Sequence, residues 1–223
     1  DIRKDRIGEL YQKFLELKEK LEKEGLFAPQ YKKSIPKFSQ NIGVITAQTG
    51  AAIQDITRTI QRRFPIANIN VYSTLVQGEA SVQDIVKNIK LADEDNNDVI
   101  ILGRGGGTIE DLWSFNTEEV IRAIFNCKTP IVTGIGHETD TTLADFVSDK
   151  RASTPTAAAE LVTPNIEDIK NRLNEIMKQV GENFISGGVA GFVSAIINTL
   201  INMVTTTTKK FAKLLNDTLH GLV

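Results

Sequence analysis

Four polar residues in this chain have types suited to joint chemistry on an anion: Asp55, Arg104, His137 and Asp140. A histidine accepts or releases a proton near neutral pH, so His137 is a candidate general base or acid. Arg104 can pair with two oxygens of one anion, and the N–H groups of Gly105, Gly106 and Gly107, which follow it directly, can extend that cradle into a phosphate-binding loop. Asp140 stands three residues after His137 and can orient its ring, while Asp55 can position a water or a metal ion. Together such groups activate water, stabilise charge on an oxyanion and supply a proton to a leaving oxygen.

Each residue also has a purely structural reading. Arg104 can tie its loop to Glu110 or Asp111, and His137 can be a buried ring bonded to backbone. Asp140 can cap the helix expected after Thr141, and Asp55 can be an ordinary carboxylate on a helix surface. Glu138, Asp145 and Asp149 are weaker candidates, with capping and pairing to Lys150 and Arg151 as their default roles. Trp113, Phe115 and Phe146 are expected to pack.

The elements that must hold these groups are written in the hydropathy pattern. Apolar runs at 41–46, 66–73, 99–102 and 131–133 alternate with helical periodicity at 49–63, 79–93 and 117–125. This βαβαβαβ order with short links predicts an α/β fold with a doubly wound, mostly parallel sheet. Ligands bind such sheets beyond the carboxyl ends of the strands. Asp55 follows the first strand, Arg104 the third, and His137 and Asp140 the fourth, so all four are expected at one edge. Glycines crowd the same two loops, at 103, 105–107, 134 and 136. There the backbone is expected to need positive φ or a close approach.

Composition bounds the reading. With 223 residues, 41% hydrophobic and 24% charged, the chain can bury a sizeable core. Cys127 is the single cysteine and forms no internal disulfide, which suits a reducing cytoplasm. His137 and His220 are the only histidines, so a His or Cys metal cluster is excluded. The start does not read as a secretion signal. The net charge of -2 is unevenly spread, with residues 1–40 basic and residues 41–164 acidic. An acidic domain is ill equipped to grip a nucleic-acid backbone by itself. Nucleophile-elbow, Walker and dinucleotide-binding motifs are lacking.

The flanks are helical. Ile7, Leu10, Phe14, Leu17 and Leu21 predict an amphipathic helix over 6–24, stopped by Gly25, with a basic, proline-punctuated linker at 31–39 that can lie near nucleic acid. Beyond the α/β segment, Thr154 and Pro155 open another helix. Ile166, Ile169, Leu173, Ile176 and Val180 then form an apolar stripe over 166–182, the start of a coiled coil. Residues 183–208 carry no charge and are long enough to span a membrane, yet their asparagines, serines and threonines favour a helical subunit contact. Three parts result: an N-terminal helix and linker (1–40), an α/β domain (41–164) and a helical tail (165–223).

The motifs GRGGGTIEDLWSFN at 103–116, IGHETD at 135–140, the run from ADF at 144 to AAAE at 160, and ITAQTGAAIQDI at 45–56 resemble the large subunit of exodeoxyribonuclease VII. The resemblance implies a nuclease that degrades single-stranded DNA from either end to acid-soluble oligonucleotides. It carries the catalytic role onto Asp55, Arg104, His137 and Asp140. It implies a single-strand-binding OB-fold ahead of this segment, so that the chain is expected to be a fragment, and a long charged coiled coil that recruits several small subunits. The uncharged stretch 183–208 departs from that pattern. No cofactor is strictly required on this resemblance, and Mg²⁺ stays open through Asp55 and Asp140. The expected partners are single-stranded DNA and small subunits bound at the helical tail, with a homo-oligomer left open, no membrane, and a cytoplasmic location. The rival reading is a non-catalytic α/β module that binds nucleic acid or phosphate and serves assembly; a small-molecule phosphate enzyme is a third.

Overall fold

A computed structural model describes residues 2–78 and 80–204, with side chains placed outside 2–6, 183–192 and 200–204. The chain divides into two units, Asp1–Thr163 and Pro164–Val223. The first is built on five parallel strands: β1 (Asn41–Thr46), β2 (Asn68–Ser73), β3 (Val99–Arg104), β4 (Ile131–Ile135) and β5 (Lys150–Arg151). Their spatial order is β2-β1-β3-β4-β5. The sheet is therefore entirely parallel, and β5 adds a short edge strand beyond the four expected. The helices are α1 (Ile2–Lys23), α2 (Ala51–Arg63), α3 (Ser81–Glu94), α4 (Glu118–Asn126), α5 (Leu143–Val147) and α6 (Pro155–Val162).

Strand alternation sorts the core into two layers. Ile45, Ile100, Leu102 and Ile135 point to one face, where they meet Leu21 of α1, Ile85 and Ile89 of α3, and Val120, Ile121 and Ile124 of α4. Ile42, Val44, Val99, Ile101 and Val132 point to the other, against Ile56 and Ile60 of α2 and Ala158, Ala159 and Val162 of α6. The central strands are buried on both sides, which is why they read as continuous β-branched runs. Leu21 is fully buried, and that burial alone contributes roughly 1.5–3 kcal/mol to holding α1 on the body. Lys20 and Arg122 add ion pairs to Glu118 at 2.6 Å, and Arg122 reaches Glu24 at 2.7 Å, tying α1 to α4.

The basic linker is anchored through its own lysines. Lys32 Nζ donates to the carbonyls of Phe146 and Ser148, and burial lowers its pKa. The Lys33 N–H donates to Asp149 Oδ1 at 2.7 Å, and Lys33 Nζ lies 3.1 Å from Asp149 Oδ2. Asp149 also accepts from the Ile131 N–H, so it fastens the linker to the start of β4. Phe115 is completely buried, and Phe146 packs on Phe27 at a centroid distance of 5.6 Å.

The second unit contains α7 (Ile166–Val204), 39 residues and roughly 60 Å long at 1.5 Å per residue. It continues well past residue 182, where the apolar stripe ends. Residues 205–208 of the uncharged run lie outside the described residues. Among the described residues no helix is long and apolar enough to cross a membrane.

Candidate active site

Strand lengths decide where the polar residues stand. β3 runs to Arg104, two residues beyond the predicted end, and pairs Arg104 with Ile135, the last residue of β4. Arg104 is thus a strand residue and only 9% exposed, held at the carboxyl edge of the sheet by its pairing with β4, since the ladder to β1 ends at Leu102. A bond from the Gly136 N–H to the Arg104 carbonyl extends this pairing into the next loop. The sense in which successive strands are added to the sheet reverses between β1 and β3, and there a crevice of about 220 Å³ opens. Thr46, Gly50 and Ala51 line one side of it, Arg104, Gly105 and Gly106 the other. This is the switch point at which parallel sheets take their ligands. The first turn of α2 points its N–H groups the same way and carries no acidic residue, as an anion there would require.

Arg104 is not stapled to a carboxylate. Its Nη1 donates to the carbonyls of Gly105 and Gly106, and its Nη2 donates to Gln77 Oε1 at 3.1 Å. A guanidinium has five N–H groups, so two remain for a ligand among the described hydrogen bonds. Asp111 stays on its own turn, accepting from the Thr108 N–H and hydroxyl, which together with the nearby Arg104 charge lower its pKa.

Of the three glycines following Arg104 none has positive φ, and two of them, Gly106 and Gly107, are explained by close approach. A Cβ on Gly106 would overlap the His137 imidazole, and one on Gly107 would overlap the Arg104 guanidinium. In the neighbouring loop Gly136 does need its left-handed conformation, with φ of 72°, and a Cβ there would also meet Asp140.

His137 is exposed, its side chain 71% accessible, so it is not a buried structural histidine. Asp140 Oδ2 accepts from the His137 N–H at 2.9 Å and lies 3.5 Å from His137 Nδ1. Asp140 is not a helix cap either. Thr142 is the N-cap of α5, in a reciprocal box with Asp145, whose Oδ2 accepts from the Thr142 N–H and hydroxyl. Burial raises the pKa of Asp145.

Asp55 stands apart from this group. It lies on the second turn of α2, exposed, with no hydrogen bond or ion pair to Arg104, His137 or Asp140 among the described residues. No group of three His, Cys, Asp or Glu residues among them is arranged to hold a metal ion. The two aspartates thus do not form a closed metal cage.

Two residues support the site in ways the sequence reading did not give: Gln77 carried no role there, and Arg151 was expected only as a pairing partner for nearby carboxylates. Gln77 precedes a glycine turn in the segment after β2 and orients Arg104. Arg151 on β5 sends its Nη2 to three carbonyls of the histidine loop: His137 at 3.5 Å, Glu138 at 3.1 Å and Asp140 at 2.9 Å. Its Nε lies 3.8 Å from Asp145 Oδ2. A basic residue in a two-residue edge strand has no periodicity to announce it.

Residues 26–215 match the family described as exonuclease VII, large subunit. Exodeoxyribonuclease 7 large subunit of Oceanobacillus iheyensis is 54% identical over 186 residues, covering 80% of this chain and 41% of that protein. The protein of the same name from Staphylococcus saprophyticus is 56% identical over 171 residues, 77% of this chain and 38% of its own length. That from Lysinibacillus sphaericus is 52% identical over 181 residues, 81% of this chain and 40% of its own. The chain therefore spans about two fifths of the length of these relatives. With the family match running from 26 to 215, through both glycine loops, and with relatives more than half identical over about four fifths of its length, the chain belongs to the exonuclease VII large subunit family.

Proposed function

We propose that the protein containing this chain hydrolyses single-stranded DNA from either end to acid-soluble oligonucleotides, as the catalytic large subunit of an exodeoxyribonuclease VII. The observation that carries the reading is the seating of the exposed His137 ring against Gly106, in the loop that also holds buried Arg104. The scissile phosphate occupies the crevice between β1 and β3. There Arg104, the N–H groups of Gly105 to Gly107 and the first turn of α2 stabilise the developing charge. His137 exchanges a proton with the attacking water or the leaving oxygen, and Asp140 holds its ring. Asp55 is assigned to the positioning of water, and with Asp140 it would offer a carboxylate to any added Mg²⁺.

The acidic body requires help with the DNA backbone, which suits a separate single-strand-binding segment in the complete protein. The tail supplies the partner surface. Met177, Val193 and Ile197 on α7 are about half exposed, as expected of a helix that pairs with small subunits or with a second copy in a coiled coil. DNA as substrate places the work in the cytoplasm, where buried Cys127 stays a thiol; burial pushes its pKa up to about 12.

The test is release of acid-soluble product from end-labelled single-stranded DNA by the full-length subunit assembled with a small subunit, in Mg²⁺ and in EDTA. Release that falls by roughly 10²-fold or more in His137→Ala is the expected result. Equal release by His137→Ala would falsify the assignment, and the EDTA lane decides the need for a metal.

A further inference from the structure

A second cavity, of about 200 Å³, opens on the other side of the two catalytic loops. Its walls are Tyr11 and Phe14 of α1 with Ile109 and Leu112, and its rim includes Gly107 from the arginine loop and Asp140 from the histidine loop. We propose that this cavity is a base-binding subsite, which takes the nucleobase adjoining the scissile phosphate and so sets the register of the strand. The inference rests on the nuclease reading above and deepens it.

Three observations select a base as the occupant. The first is shape: Tyr11 and Phe14 lie nearly parallel, 13° between ring planes and 6.3 Å between centroids, with Tyr11 outermost and 56% exposed. A solvent-facing ring backed by a second ring is a stacking platform, and every base has a face that fits one. The second is charge. Among the described residues no lysine or arginine lines the cavity and Asp140 does, so its described lining disfavours a phosphate and accepts an uncharged base edge. Thr139, Thr141 and Asn116 add polar groups that suit the rim of a base. The third is continuity. Gly107 is three residues from Arg104, and Asp140 directly contacts His137, so a base held here leaves its phosphate at the glycine loop. The volume is below that of a typical drug-sized site, as expected for a single base.

The role also gives α1 a function. Its apolar stripe secures it through Leu21, while Tyr11, one turn from Phe14 and off the buried core, is left facing the cavity.

The test uses the full-length subunit with its small subunit, carrying His137→Ala to stop hydrolysis, and short single strands with 2-aminopurine replacing one base at a time. Binding is followed by anisotropy and stacking by fluorescence quenching. One position along the strand is expected to be quenched through Tyr11. That quench is lost in Tyr11→Ala and kept in Tyr11→Phe, with the fold unchanged by circular dichroism because the ring is exposed. With His137 restored, Tyr11→Ala raises KM roughly 5- to 100-fold and leaves kcat nearly unchanged, the loss expected of one base stack. Quenching that is identical in Tyr11→Ala overturns the subsite while His137-dependent hydrolysis by the wild type leaves the nuclease reading standing. A wild type that binds the strand and never cleaves it removes the nuclease reading instead, and the subsite as stated with it.

Discussion

The imidazole of His137 rests on the Cα of Gly106, leaving no room for a Cβ between the arginine loop and the histidine loop. The ring therefore owes its position to a missing side chain as much as to Asp140. Gly106→Ala is expected to push the ring aside and lower product release by ~10²-fold, the cost of misplacing a reacting group by about 1 Å. Gly107→Ala acts alike through Arg104. Gly105→Ala is the control: its Cβ would meet nothing within 4 Å and its φ is not positive, so activity should stay near wild type. Equal losses at all three positions would refute the close-approach account. Thermal melts of each variant separate a displaced ring from a lost fold.

Asp140 makes two different contacts with His137, one to its backbone N–H and one near Nδ1. Asp140→Asn can keep the first and removes the carboxylate from the second. It is expected to lose activity by roughly 10²-fold with a small change in stability. Asp140→Ala leaves the His137 N–H without that acceptor and should cost about 0.5–1.5 kcal/mol more in a urea unfolding experiment. An Asp140→Asn enzyme with unaltered kcat would confine Asp140 to loop structure.

Arg151 gathers the carbonyls of His137, Glu138 and Asp140 while its Nε faces buried Asp145. Arg151 is a positioning residue, since it touches the loop and not the reacting atoms. Arg151→Met should lower kcat by ~10²-fold through loop displacement and destabilise the domain by roughly 1–3 kcal/mol, because Asp145 loses its counter-charge. Adding Asp145→Asn should restore part of the stability and none of the activity. Restoration of both would mean that the unpaired Asp145 charge, and not the loss of the carbonyl bonds, displaced the loop.

How much of this was legible in the sequence depends on which physical signal each feature leaves. The central strands were readable because Val44, Ile101 and Val132 must be apolar on a doubly buried sheet. Arg104 and His137 were readable as types beside glycines, and the sheet rule placed them on one edge. The end of β3 was not, since Gly103 and Arg104 look like a loop until β4 pairs with them. Which glycine served dihedral freedom and which served close approach also lay beyond the sequence. Gly136 and Gly106 are the same letter with different reasons. The pairing of Arg151 with a nearby carboxylate was readable, but its hold on the histidine loop was not, because those partners are backbone carbonyls, which no sequence pattern marks.

Asp145 gives a stability prediction with a definite sign in pH. Its carboxyl is buried, and desolvation raises its pKa above the ordinary range against the bonds from Thr133 and Thr142 and the charge of Arg151. Folding therefore favours the neutral form. The stability this contributes is complete at acid pH, below the ordinary carboxylate range, and is lost as pH rises through the raised value. Asparagine keeps an oxygen for the Thr142 N–H and hydroxyl and does not titrate in this range. The stability of Asp145→Asn relative to wild type should therefore increase as the pH rises from about 4 to about 7. Urea unfolding of both proteins at three pH values across that window measures the difference. A flat difference would show that the threonine bonds and Arg151 offset the desolvation in full, and a difference that falls with pH would show that they outweigh it and favour the charged form.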